Sequence, residues 1–182
     1  MARRGRIAAV IGGLAILASG AIVLADFLQL GRTEPALVAE PDRADRVLVE
    51  KAARRLTLLR EGRVLATYPV SLGFAPEGHK AREGDGRTPE GLYAIAFRNP
   101  RSVAHLSLKV SYPAPADEAA ARAGGYPPGG DIMIHGLMNG FSWLGRLHRL
   151  MDWTQGCVGV TNAEMRAIYA RVDVGTPIEI RP

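Results

Sequence analysis

The chain has 182 residues, with 21 Gly, 12 Pro and only 6% aromatics, which allows one ordinary domain plus an appendage and favours short strands and turns over a helical bundle. Its formal net charge of +5 comes from arginines scattered along the sequence, with no long basic run and no interleaved aromatics. That pattern argues against nucleic-acid binding and suits an anionic membrane or wall polymer, while the single cysteine, Cys157, excludes an internal disulfide.

Arg3, Arg4 and Arg6 precede the apolar, uncharged run Ile7 to Ala25, which is long enough to cross a bilayer core as a helix. With cations before it and Asp26 after it, the positive-inside bias predicts a cytoplasmic N-terminus and export of the chain beyond about Leu30. Residues 1–30 are therefore expected to form a single-pass membrane anchor. Val23-Leu24-Ala25 would serve as a signal-cleavage site, giving a secreted form instead, but the run exceeds a usual signal core. Residues 31–45, with prolines and mixed charge, are expected to be a linker, and residues 46–182 a domain held in the periplasm.

Within that domain, alternating or β-branched apolar positions predict strands at Arg46–Glu50 and Arg55–Leu59, then a Glu61-Gly62-Arg63 turn into Val64–Leu72, an antiparallel meander. Phe74 to Gly91 is rich in Gly, Pro and charge and has no apolar period, so an exposed loop is expected before a strand at Leu92–Phe97. A strand follows at Leu106–Val110, a short Ala-rich helix at Asp117–Ala123, and a Pro/Gly loop feeding the strand Ile132–Ile134. After an irregular segment comes an apolar strand at Cys157–Val160. Thr161-Asn162-Ala163-Glu164 then reads as a capping box opening a helix to about Arg171, and Thr176–Ile180 closes the chain as a strand. No internal repeat or low-complexity tract is present.

Two residues stand out chemically. Cys157 follows a glycine at the opening of a strand, and His135 sits at a strand end upstream, the usual pairing of a thiol nucleophile with its base. The bland alternatives are a buried small hydrophobe for Cys157 and a satisfied strand-end histidine for His135. His79 and His105 read as surface residues. His148, between Arg146 and Arg149 and near Trp143, reads as part of a solvated face.

The segments Asp131-Ile132-Met133-Ile134-His135-Gly136 and Thr154-Gln155-Gly156-Cys157-Val158 resemble the His-Gly and Ser/Thr-x-Gly-Cys signatures of L,D-transpeptidases of the YkuD type, a family that includes murein-modifying ErfK/YafK-like members. Gly86-Arg87-Thr88-Pro89-Glu90-Gly91 is similar to that family's Arg-Thr-Pro-x-Gly loop. Three motifs in order, over the chain from about Arg46 to its end, are specific. The resemblance implies a mainly β, sandwich-like catalytic domain with short helices, and no metal or cofactor. It implies Cys157 as nucleophile, His135 as base, and Gly136 as the residue whose carbonyl orients the imidazole. The backbone amides of Gly156 and Cys157 would form an oxyanion hole.

The family often has His before Gly-Cys and Arg two residues after the Cys. Here Gln155 and Gly159 stand in those places. Arg146 or Arg149 is therefore a candidate for holding a substrate carboxylate, with Thr154, Gln155 and Trp143 as further candidate substrate contacts. The implied substrates are peptidoglycan stem peptides, with an amine of a neighbouring stem or of an envelope protein as acyl acceptor. A hydrolase using the same acyl-enzyme, a catalytically silent wall-binding module, and a zinc site of His135, His148 and Cys157 are the competing readings.

Overall fold

A computed structural model describes residues 20–21, 23–29, 31 and 33–182. Most of the expected anchor, residues 1–30, lies outside the described residues. Among those that are described, no helix is long and apolar enough to cross a membrane.

The domain is mainly β. Strands β1 (Arg46–Glu50), β2 (Arg55–Arg60) and β3 (Arg63–Pro69) form the expected antiparallel meander. They are followed by β4 (Gly91–Ser102), β5 (His105–Val110), helix α1 (Pro115–Ala123), β6 (Met133–His135), β7 (Val158–Gly159), helix α2 (Asn162–Tyr169) and β8 (Pro177–Arg181). The strand order is β3-β2-β1-β8-β4-β5-β6-β7, with β1–β8 and β6–β7 parallel and the other pairs antiparallel. Beyond β3 the chain runs on to the far edge of the sheet. There Ser71 and Gly159 exchange backbone hydrogen bonds of 2.9 and 2.8 Å, so the two edges are joined rather than left as open hydrogen-bonding rows.

Alternation explains what lies inside. Val47, Val49, Leu56, Leu58 and Ile178 from one half of the sheet meet Leu106, Leu108, Ile134 and Val158 from the other in a single buried cluster. Helix α2 adds Met165, Ile168 and Tyr169 to that cluster. Its start is the predicted capping box: Thr161 Oγ1 accepts from the Glu164 amide at 3.3 Å and Glu164 accepts from the Thr161 amide at 3.0 Å.

Three expectations on organisation change. The helix ends at Tyr169, two residues short of Arg171. The segment 33–45 is packed along α2 instead of hanging free: Val38 N donates to Ala170 O, Ala44 N to Arg171 O, and Tyr169 donates its hydroxyl to Glu34 at 2.8 Å. The irregular segment before Cys157 contains a 3-10 stretch, Ser142–Leu150, broken at Gly145 where the backbone leaves helical geometry.

Candidate active site

Register places the two candidate residues, His135 and Cys157, at neighbouring strands. In the parallel pair β6–β7, Ile134 lies opposite Val158 and His135 opposite Gly159. Ile134 and Val158 are fully buried and point into the core. Side chains alternate along a strand, so Met133, His135 and Cys157 belong to the opposite face, with Cys157 immediately before β7. The backbone of His135 is pinned there by Val160 N, which donates to its carbonyl at 3.0 Å.

The imidazole has one orientation. His135 Nδ1 lies 2.6 Å from Gly136 O. A carbonyl only accepts, so Nδ1 carries the proton and Nε2 keeps a lone pair. Burial lowers the His135 pKa below the usual 6.5, outweighing the opposing pull of the Gly136 carbonyl. Burial likewise raises the Cys157 thiol, against the lowering influence of the Met133 amide and of Lys80. The partly exposed thiol donates to Asp131 O at 3.5 Å. Both shifts favour a neutral thiol and a neutral imidazole at rest.

A pH profile follows with a definite sign. As a general base His135 would work only unprotonated, and its depressed pKa keeps it so below pH 6.5. The acid limb of kcat/KM is expected to be centred below 6.5; a limb centred at or above that value would contradict the buried, Gly136-bound base.

The Cys turn is built on close backbone contacts. Gly156 has φ +122°, and a Cβ there would sit 2.5 Å from Arg87 O. A Cβ on Gly73 would likewise sit 2.0 Å from Gly86 O. The glycine before Cys157 thus makes room for the Gly-Arg-Thr-Pro loop. That loop is not the exposed segment expected: Lys80, Gly86, Thr88 and Pro89 are buried. Lys51 Nζ donates to Gly78 O at 2.6 Å, Thr88 O at 3.0 Å and Glu90 at 2.6 Å. Burial would raise the Asp85 carboxyl, but the Lys80 ammonium at 2.8 Å and the amides of Ala81, Arg82 and Arg87 outweigh it and hold it at about 2.

The remaining candidates divide. Thr154 is buried; its hydroxyl donates to Cys157 O at 2.8 Å and accepts from Gly156 N at 3.1 Å. It braces the turn instead of facing a substrate, and it occupies one of the two amides expected in the oxyanion hole. The Cys157 amide has no acceptor among the described residues. Arg149 is committed to Glu164 of the α2 capping box, whereas Arg146 is exposed and has no ion pair among the described residues. Gln155 and Trp143 are exposed.

His148, expected on a solvated face, is buried, its Nδ1 3.1 Å from Ser71 Oγ and 3.4 Å from Trp153 Nε1. Burial and the neighbouring Arg149 bring its pKa down to about 4. His105 is buried too, at a positive φ of 68°. His79 is tied to Asp117 at 3.1 Å and to Glu90. No three His, Cys, Asp or Glu side chains converge as a metal site among the described residues.

Sequence reasoning missed Trp153. Its ring stands edge-on to His135 at 5.6 Å between centroids and to His148 at 6.4 Å. A Cβ on Gly159 would lie 3.2 Å from Trp153 Cζ2. The indole therefore covers the position where the family motif has arginine. The only signal in the sequence was the pairing of a tryptophan with a glycine at that place.

Residues 44–180 match the family model described as YkuD, the L,D-transpeptidase catalytic domain. The chain belongs to the YkuD L,D-transpeptidase catalytic domain family. Among solved structures it is similar to the helical cell shape determining protein Pgp2 from Campylobacter jejuni, at 23% identity and a TM-score of 0.58, covering 85% of this chain and 53% of that one. Bd1075 from Bdellovibrio bacteriovorus is similar at 21% identity and a TM-score of 0.51, with 83% and 52% covered. Both likenesses bear on the fold, and the chain spans about half the length of these two proteins. Among curated proteins none matches.

Proposed function

We propose that this chain is a peptidoglycan L,D-transpeptidase. The observation that carries the reading is the His135 tautomer, fixed by Gly136 O, on the same sheet face as Cys157 in a YkuD domain. In the first half-reaction Cys157 Sγ attacks the carbonyl of the residue preceding the terminal D-Ala of a tetrapeptide stem. His135 Nε2 takes the thiol proton and passes it to the departing D-Ala amine as the C–N bond breaks, leaving a thioester. The Cys157 amide, which has no acceptor among the described residues, would serve the oxyanion. In the second half-reaction an amine attacks the thioester, its proton leaves through His135, and the thiol is restored. A diaminopimelate amine of a neighbouring stem would give a 3→3 crosslink, and an envelope protein's amine would give covalent attachment. If water is the acceptor, the same intermediate gives a hydrolase. The intact mass of the protein mixed with a tetrapeptide stem tests the scheme: a thioester adduct lacking D-Ala supports it, and no adduct at any pH removes it.

Arg146 is the cation left to hold a stem carboxylate, since Arg149 is engaged. Arg146→Ala is expected to raise KM by about 10-fold with the melting temperature unchanged. Arg149→Ala is expected to leave KM in place and lower stability by about 1 kcal/mol through the capping box. Stem-peptide kinetics beside thermal melts separate the two; unaltered KM in both would end the carboxylate role.

We further read residues 1–30 as a retained anchor that holds the domain outside the cytoplasmic membrane. The support is the Arg3, Arg4, Arg6 flank on the uncharged run Ile7 to Ala25. A mature protein beginning at Asp26 would replace the anchor with a cleaved signal.

A further inference from the structure

The 3-10 stretch Ser142–Leu150 and its flanks carry a cluster of exposed large apolar side chains. Trp143 is 64% exposed, Leu147 60%, Leu150 81% and Met151 69%. Phe141, Leu147, Leu150 and Met151 line an apolar cleft of about 510 Å³ that Trp153 and His148 also line, and Trp143 stands exposed on the same 3-10 stretch. Such a surface is costly to leave in water.

The chain itself points to what covers it. The apolar run Ile7 to Ala25 ends where Asp26 accepts hydrogen bonds from Gly140 N at 2.9 Å and Ser142 N at 3.3 Å. Phe27 lies against Gly140, and Gln29 Nε2 reaches Ser102 O at 3.2 Å. The exit of the apolar run is thus fastened to the rim of the exposed face. Leu24, Phe27 and Leu28, themselves exposed, extend that face toward the run.

We propose that the face formed by Phe141, Trp143, Leu147, Leu150 and Met151 docks on the lipid surface from which the N-terminal run emerges. Aromatic and large aliphatic side chains on a short amphipathic element are suited to the headgroup boundary, where tryptophan is favoured. A bilayer that holds residues 7–25 comes within reach of this face without any further partner. The inference rests on the anchoring reading and not on the transpeptidase chemistry. Docking would hold the catalytic domain against the membrane, on the side where Trp153 lines the cleft and stands edge-on to His135.

The test uses the full chain reconstituted in phosphatidylcholine vesicles containing brominated acyl chains. The protein has two tryptophans, so Trp143→Phe reports Trp153 alone. The wild type is expected to lose about half its fluorescence and Trp143→Phe much less, the difference belonging to a Trp143 seated in the boundary. Leu147→Glu/Leu150→Glu, at exposed positions that do not serve the core, should abolish the Trp143 quenching while the protein survives an alkaline wash in the vesicle. Unquenched Trp143 in a wash-resistant protein overturns the docking face and leaves the anchor standing. Equal quenching in the double-glutamate variant also overturns it. Protein lost in the wash refutes the anchor, and the inference with it.

Discussion

Cys157→Ala is expected to lower kcat/KM for acyl transfer by about 10⁴-fold or more, because no other group near His135 can form the covalent intermediate. The sulfur's polar contacts are with backbone atoms, the Asp131 carbonyl at 3.5 Å and the Met133 amide, so its loss should leave the fold intact and the melting temperature nearly unchanged. That combination separates a chemical role from the bland alternative. A cysteine serving as a packed hydrophobe would cost stability on truncation and leave turnover in place. Turnover by Cys157→Ala within about tenfold of wild type would show that the thiol is not the nucleophile.

Gly156→Ala is expected to be nearly as damaging, and through stability as well. Its φ of +122° is one that side-chain-bearing residues rarely adopt, and the new methyl would lie 2.5 Å from Arg87 O. The carbonyl cannot easily retreat. Thr88 Oγ1 accepts from Gly73 N at 3.1 Å and Lys51 holds the Thr88 carbonyl. Backbone strain plus the clash should cost about 3 kcal/mol or more. Because the displaced residues carry the Cys157 amide, acyl-enzyme formation should also fall by about 10²-fold even where the variant remains folded. Urea titration paired with acylation rates measures both; an Ala variant with wild-type stability would mean the turn relaxes in a way the backbone contacts do not allow.

The legible parts of the sequence were those whose signal is local. Alternation gave the meander of β1 to β3, and Thr161-x-x-Glu164 gave the start of α2, because a capping box is satisfied within four residues. His135 and Cys157 were legible as types at strand ends, and their shared face follows once β6 and β7 are paired in parallel. What escaped depends on distant partners. Lys80 sits in a stretch with no apolar period, yet Asp85 and the Arg82 carbonyl satisfy its ammonium and bury it. His148 has arginines on either side, which suggested solvent; in a broken 3-10 segment sequence neighbours do not define a face, and Ser71 and Trp153 enclose it. The glycine at position 159 could be read as a departure from the family motif, but not that Trp153 fills the space it leaves. The segment 33–45 looked like a spacer because its hydrogen bonds run to α2, more than a hundred residues away.

The central claim is tested most directly by mass spectrometry of purified muropeptides incubated with the protein, wild type beside Cys157→Ala. The account predicts crosslinked or amine-exchanged species that form only when Cys157 is present. Cleavage products alone would make the protein a hydrolase, and no Cys157-dependent change with any stem peptide would contradict the acyl-transfer mechanism and leave a wall-binding module.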